Sequence, residues 1–253
     1  MNKIPLPTIV LFDMDGTTVR HVRPWILNVL ERIDDVFYKT SRFIARLRRG
    51  REMIDFSDVP ATQKRLLVHR ALHKVRRKEV DEIVQPCPGV LPLLNFFKKQ
   101  GIPMALVSNG LGQGYGHEIV ETFDLGQYFK AYVFREDAQK SKPHPDSLLR
   151  ALKMLKEDPT KDDVVWFIGD RPKDIAAAIA AEKFLECDFV PFAYGLHASV
   201  AILKNNISTD HIIMDYTDFS LRVAEMFEDH KNGKNGDKNG KVAPYRNASK
   251  SAS

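Results

Sequence analysis

Cysteine is scarce in this chain, with two residues, Cys87 and Cys187, among 253. That excludes a disulfide-stapled scaffold and fits a reducing compartment. No run approaches the roughly 18 uncharged apolar residues that a membrane-spanning helix requires. The start, Met1–Pro7, lacks the basic-then-apolar layout of a signal peptide, so the expected location is the cytoplasm. A dinucleotide fingerprint is missing as well. Glycines stand at 110, 112, 114 and 116, but Gly-x-Gly-x-x-Gly begun at Gly110 needs a glycine where Tyr115 stands, and begun at Gly112 it needs one at His117. The segment reads instead as a flexible loop. No larger internal repeat is visible.

What is present is ordinary globular material: 43% apolar and 28% charged residues, enough to bury one large α/β core with a smaller insert. The net charge of +5 is unevenly spread. Residues 1–19 carry −1, 20–85 carry +7, 86–230 carry −6 and 231–253 carry +5. The basic excess therefore belongs to an N-proximal insert and a tail, and no nucleic-acid partner is expected from it. The tail, 231–253, repeats Lys-Asn-Gly and ends in Ala, Ser and Lys, with nothing to bury, and reads as disordered.

Short apolar runs punctuate the remainder: Pro7–Phe12, Ile102–Val107, Ala131–Phe134, Val164–Ile168 and Asp188–Phe192. Runs of this length bounded by Gly, Pro, Asp or Asn read as strands buried on both faces. Helical patterns lie between them, over Val90–Gln100, His117–Phe123, Pro145–Leu155 and Asp174–Phe184. The alternation predicts a doubly wound, Rossmann-like parallel sheet formed by 1–19 and 86–230. Residues 20–85 break the rhythm. Ile26, Leu30, Ile33, Phe37, Ile44 and Leu47, then Leu66, Leu67, Leu72, Val75, Val80 and Ile83, recur at helical spacing. This segment is expected to be a small all-α unit inserted after the first strand.

Ligands of open parallel sheets bind beyond the carboxyl ends of the strands. Asp13-Met14-Asp15-Gly16-Thr17 follows the first run, Ser108-Asn109 the second, Lys142-Pro143 the third, and Asp170 with Asp174 the fourth. Asp13 and Asp170 are hard oxygen ligands that, with a backbone carbonyl and waters, suit Mg²⁺. One of the paired carboxylates is placed to attack phosphorus, and the other to protonate a leaving oxygen and later activate water. Gly16 allows close backbone approach, Thr17 and Ser108 offer neutral donors beside Asn109, and Lys142 brings a fixed positive charge.

From about Pro7 to about Gly195, these four motifs in this order resemble the haloacid dehalogenase superfamily, in its phosphatase branch of the phosphoglycolate-phosphatase kind. The resemblance implies that Asp13 is a nucleophile forming an aspartyl-phosphate and that Asp15 is the general acid/base, its backbone carbonyl serving as a metal ligand. It further implies Mg²⁺ held by Asp13, Asp15 and Asp170, phosphate binding by Ser108, Asn109 and Lys142, and supporting roles for Gly16, Thr17 and Asp174. The insert matches the family's cap, and the implied substrate is a small phosphorylated metabolite. Dehalogenases of the superfamily lack the second acid of Asp-x-Asp, so Asp15 points to phosphate chemistry. Thr18-Val19-Arg20-His21 departs from the Leu-then-acid continuation frequent in these phosphatases, which bears on substrate identity and not on the chemistry.

Taken singly, each motif has a plainer reading: a turn for Asp13–Thr17, a solvated lysine for Lys142, a helix cap for Asp174. Their co-occurrence at successive strand ends is what favours a site. A sugar-phosphate mutase shares every motif, and a non-catalytic regulatory or nucleic-acid-binding protein on the same fold is the alternative of a different class.

Overall fold

The computed structural model describes residues 4–22, 80–82 and 84–236. Strand β1 (Ile9–Asp13) is followed by β2 (Val19–His21) and β3 (Val84–Pro86), which pair with each other. Then come β4 (Met104–Val107), β5 (Phe129–Val133), β6 (Val164–Gly169), β7 (Asp188–Tyr194) and β8 (Ile212–Ile213). Helix α1 (Val90–Lys99) precedes β4, and α2 (His117–Thr122), α3 (Asp146–Leu155), α4 (Pro172–Ala181) and α5 (Gly195–Lys204) connect the later strands in turn. Helix α6 (Tyr216–Gly236) comes last.

Six strands form one parallel sheet in the order β5-β4-β1-β6-β7-β8. β1 is central. The chain winds outward from it through β4 and β5, then crosses back to β6 on its other side. That reversal puts the crevice of a doubly wound sheet at the carboxyl end of β1, where Asp13 stands. The expected α/β architecture is therefore the observed one.

Strand alternation assigns the two faces. Ile9 and Leu11 join Val165, Phe167, the α3 residues Leu148, Ala151 and Leu152, and the alanines 177, 178 and 181 of α4 in one buried cluster. Alanine on α4 lets that helix lie close to the sheet. On the opposite face Phe12 meets Phe97 of α1 edge-on at 6.4 Å, and Trp166 meets Phe97 at 6.2 Å and Phe219 of α6 at 6.1 Å. The two contacts of Phe97 are edge-on, which suits the ring quadrupoles, and that of Phe219 is tilted. The one polar atom of Trp166, Nε1, donates to the carbonyl of Pro5 at 3.0 Å, so its burial leaves no donor unsatisfied. Helix α1 buries Val90, Leu93, Leu94 and Phe97, the i, i+3, i+4, i+7 stripe that its sequence displays.

Differences from the sequence expectation have local causes. β5 starts at Phe129, because this edge strand alternates buried and exposed residues and Lys130 interrupts its apolar run. α4 begins at Pro172, whose fixed φ suits a first helical turn, and stops at Ala181. α6 continues through 231–236, the first residues of the stretch expected to be a disordered tail, since adding turns to a helix already nucleated costs little. The rest of that stretch, 237–253, lies outside the described residues.

The chain divides into two compact units, Met1–Arg20 with Val84–Ser253, and His21–Ile83. The helical pattern expected within 20–85 falls almost wholly outside the described residues. At its margins, Val19–His21 and Val84–Pro86 are extended and Val80–Glu82 forms a single 3₁₀ turn.

Candidate active site

The turn after β1 is drawn tight. Thr18 and Val19 both donate their backbone N–H to the Met14 carbonyl at 2.9 Å, and Gly16 N donates to Val19 O at 2.7 Å. Thr18 Oγ1 donates to the Asp13 carbonyl at 2.7 Å, and the buried Thr17 Oγ1 donates to Asp13 Oδ2 at 3.3 Å. Gly16 has φ +88°, and a Cβ there would overlap the Asp170 carboxylate. The close approach that this position requires is thus to Asp170, on the neighbouring strand end.

Lys142 is buried, and its ammonium donates to Asp13 Oδ1 and to the Val107 carbonyl at 3.2 Å, with Asp174 Oδ1 2.9 Å away as a second ion-pair partner. The Phe167 ring lies 5.3 Å from it. Asn109 commits both ends of its amide to the Lys142 backbone, donating from Nδ2 to the carbonyl and accepting from the N–H, each at 3.1 Å. Asn109 therefore clamps the loop that delivers Lys142, and this uses one of the two N–H groups of its amide. Asp174 accepts from the Arg171 N–H at 3.0 Å, so the helix-cap reading holds while its other oxygen pairs with Lys142.

Asp13, Asp170 and Asp174 offer ligand oxygens within 4.8 Å of one another. Three carboxylates against one buried ammonium leave excess negative charge in a dry space. Burial, with Asp174 and Asp170 acting in the same sense and Lys142 opposing, pushes Asp13 up to about 7. Burial likewise pushes Asp170 up to about 6, against the Arg171 guanidinium, whose Nε is 3.9 Å away. Burial would lower Lys142, but Asp13 and Asp174 together outweigh it and hold the ammonium well above its ordinary value. Asp170 Oδ1 is buried and accepts no hydrogen bond among the described residues. An orphaned carboxylate oxygen within an acidic cluster is what a hard divalent cation satisfies, so these residues fit Mg²⁺.

The carboxylate of Asp15 stands outside that cluster. Its Oδ2 accepts from Ser108 Oγ at 3.1 Å and its Oδ1 from the Tyr115 hydroxyl at 2.6 Å. Ser108 continues the sheet, donating its N–H to the Val133 carbonyl, and its Oγ accepts from Gly110 N at 2.9 Å. All nine residues singled out from the sequence thus sit around one strand-end crevice. Tyr115 was missed, and so was Glu136. The carboxylate of Glu136 accepts from Gly112 N at 2.8 Å and Gln113 N at 2.9 Å. The glycine-rich loop expected to be flexible is pinned. Phe134 packs against Gly112 and Gly116, where a Cβ would collide with the ring. An aromatic residue among glycines directly after a catalytic-type strand end was the available signal.

A doubly wound sheet with four acids gathered at its switch point defines a Rossmann-like α/β domain with an acid-rich centre. The chain belongs to the haloacid dehalogenase-like hydrolase family, whose model matches residues 7–182. It is similar to the phosphoglycolate phosphatase of Escherichia coli (strain K12), with 27% identity over 229 residues, covering 80% of this chain and 87% of that one. Among solved structures it is similar to a Had-superfamily hydrolase from Ehrlichia chaffeensis, at TM-score 0.56 and 23% identity, covering 89% of this chain and 100% of the other. A Thermotoga maritima structure described as a β-phosphoglucomutase gives TM-score 0.56 and 20% identity, covering 86% and 98%. These structural likenesses show the shared fold.

Proposed function

We propose that this hydrolase is a phosphatase that cleaves a small phosphomonoester through an aspartyl-phosphate on Asp13. The observation that carries the reading is the pair of aspartates at the end of the central strand in two different environments. Asp13 lies among Lys142, Asp170 and Asp174, while Asp15 is held separately by neutral hydroxyls. Two carboxylates set apart in this way suit two roles, nucleophile and acid/base. The phosphoglycolate phosphatases among the relatives support the substrate class.

Asp13 attacks phosphorus, Asp15 protonates the leaving oxygen, and Asp15 then takes a proton from the water that releases phosphate and restores Asp13. Ser108 donates to the phosphate. Lys142, buried against Asp13 and Asp174, acts as a fixed positive charge at the attacking carboxylate. Asn109 holds Lys142 in place. Asp13 and Asp170, with the backbone carbonyl of Asp15, would hold Mg²⁺, which when bound supplies charge neutralisation for the incoming phosphate. The family resemblance supports a helical cap within residues 20–85, its positive charge suits capture of a phosphorylated substrate, and the scarcity of cysteine supports a cytoplasmic location. The two cysteines are buried free thiols, and no helix among the described residues is long and apolar enough to cross a membrane.

The test is release of inorganic phosphate from p-nitrophenyl phosphate and phosphoglycolate with Mg²⁺. Loss of activity in Asp13→Asn is expected, and full activity in that variant would overturn the reading. Transfer of the phosphoryl group to a second hydroxyl of a sugar phosphate, seen by 31P product analysis, would identify a mutase instead.

A further inference from the structure

We propose that Tyr115 is a positioning residue for leaving-group protonation: its hydroxyl holds the Asp15 carboxyl through Oδ1 and so sets the orientation in which that carboxyl exchanges protons with substrate and water. The inference deepens the phosphatase reading and rests on its assignment of Asp15.

Four observations converge. The phenol reaches Asp15 Oδ1 at 2.6 Å, a short contact for an O–H donor to a carboxylate, and the ring is 9% exposed. The segment that carries Tyr115 is anchored on both sides. Gly112 and Gln113 donate to the Glu136 carboxylate, Arg135 N donates to the Gly110 carbonyl at 2.9 Å, and Gly116 N closes on the Leu111 carbonyl at 3.0 Å. Glu136 has its carboxyl held below the ordinary range. Burial acts in the raising sense there, and the N–H groups of Gly112 and Gln113 outweigh it. Finally, the buried Phe134 ring packs against Gly112 and Gly116 and also lies 4.8 Å from the His117 ring, so the strap is seated on the end of β5. A loop fixed at this many points delivers its one aromatic hydroxyl to a set place.

The two oxygens of Asp15 therefore have unlike partners. Oδ1 is held by a phenol on a pinned strap. Oδ2 accepts from Ser108, the hydroxyl proposed to bind the phosphate. In the first half-reaction the Asp15 carboxyl proton passes to the ester oxygen as the P–O bond breaks and its electron pair stays on that oxygen. In the second, the Asp15 carboxylate takes a proton from water as the water oxygen bonds to phosphorus, and the Asp13–P bond returns its pair to Asp13. Tyr115 neither gains nor loses a proton in either half.

The test compares kcat/KM, which reports the phosphoryl-transfer half, for two esters in the full chain with Mg²⁺. p-Nitrophenolate leaves with little need of a proton, whereas an alkyl ester such as phosphoglycolate needs one. In Tyr115→Phe the alkyl ester is expected to lose on the order of tenfold or more relative to the aryl ester, part of the about 10²–10⁴ that general acid catalysis supplies. Glu136→Ala, which unpins the strap and is remote from the proposed chemistry, should shift the ratio the same way by less, and serves if Tyr115→Phe does not fold. An equal loss on both esters in both variants, as a purely structural role would give, overturns the proposal, and so does an unchanged ratio. Asp15→Asn separates the two readings. If it discriminates between the esters while Tyr115→Phe does not, only the role of Tyr115 fails. If it discriminates between none, the assignment of Asp15 as the acid fails.

Discussion

Lys142 and Asp174 face each other at 2.9 Å with both side chains withdrawn from solvent, and the same ammonium touches Asp13. One cation thus holds two of the three clustered acids. Lys142→Met would leave those acids buried without it, and breaking a buried pair costs about 3–5 kcal/mol. The metal-free variant should melt well below the parent, Mg²⁺ should raise its Tm more than it raises the parent's, and activity should fall on the order of 10²-fold or more. Thermal melts with and without Mg²⁺ and a phosphate-release assay check this. A melt unchanged in the absence of metal would show that the ion pair contributes nothing to the fold.

Gly16 should not tolerate a methyl group. Alanine at φ +88° carries strain of about 1–3 kcal/mol and would also overlap the Asp170 carboxylate. Gly101 provides the control, since its φ is +73° but a Cβ there would meet nothing within 4 Å. Both Gly16→Ala and Gly101→Ala should lower Tm, and Gly16→Ala alone should raise the Mg²⁺ concentration needed for half-maximal activity. Equal Mg²⁺ requirements in the two variants would mean that Asp170 does not depend on the glycine.

The raised carboxyls fix the sign of a pH effect in metal-free protein. Asp13, pushed to about 7, and Asp170, pushed to about 6, bind more protons folded than unfolded. Their contribution to stability is complete below about pH 4 and is lost as pH rises toward 7. The buried His211, lowered by burial, has the opposite slope, and Asp163, lowered by Lys156 and Thr160 against its burial, acts only below about pH 4. The informative quantity is therefore the difference between the parent and Asp13→Asn, melted in chelator between pH 5 and pH 7. The parent should lose more Tm over that interval, and Mg²⁺ should remove the difference. Parallel lines in chelator would contradict the crowding of charge around Asp13.

The sheet was legible because its central strands are short unbroken apolar runs, each leading into a residue proposed for the chemistry: Asp13, Ser108, Asp170. What escaped was what such runs do not encode. β8 has two residues, Ile212–Ile213, too few for any periodicity. Tyr115 reads as one more loop residue until Phe134 and Glu136, just beyond β5, fix its neighbours Gly112, Gln113 and Gly116. The hold that Asn109 has on the Lys142 backbone, 33 positions on, is likewise absent from any local pattern. Residue type at a strand end suggests the kind of chemistry, and long-range packing sets which groups meet there.

The phenol of Tyr216, at the head of α6, donates to the Thr17 carbonyl at 3.1 Å across 199 positions of sequence. The turn that follows the first strand is therefore braced by a helix synthesised long after it. A chain interrupted before residue 216 would carry every motif from Asp13 to Asp174 around a turn still lacking its brace. Completion of this centre is in that sense a late event in the life of the polypeptide, tied to the arrival of α6.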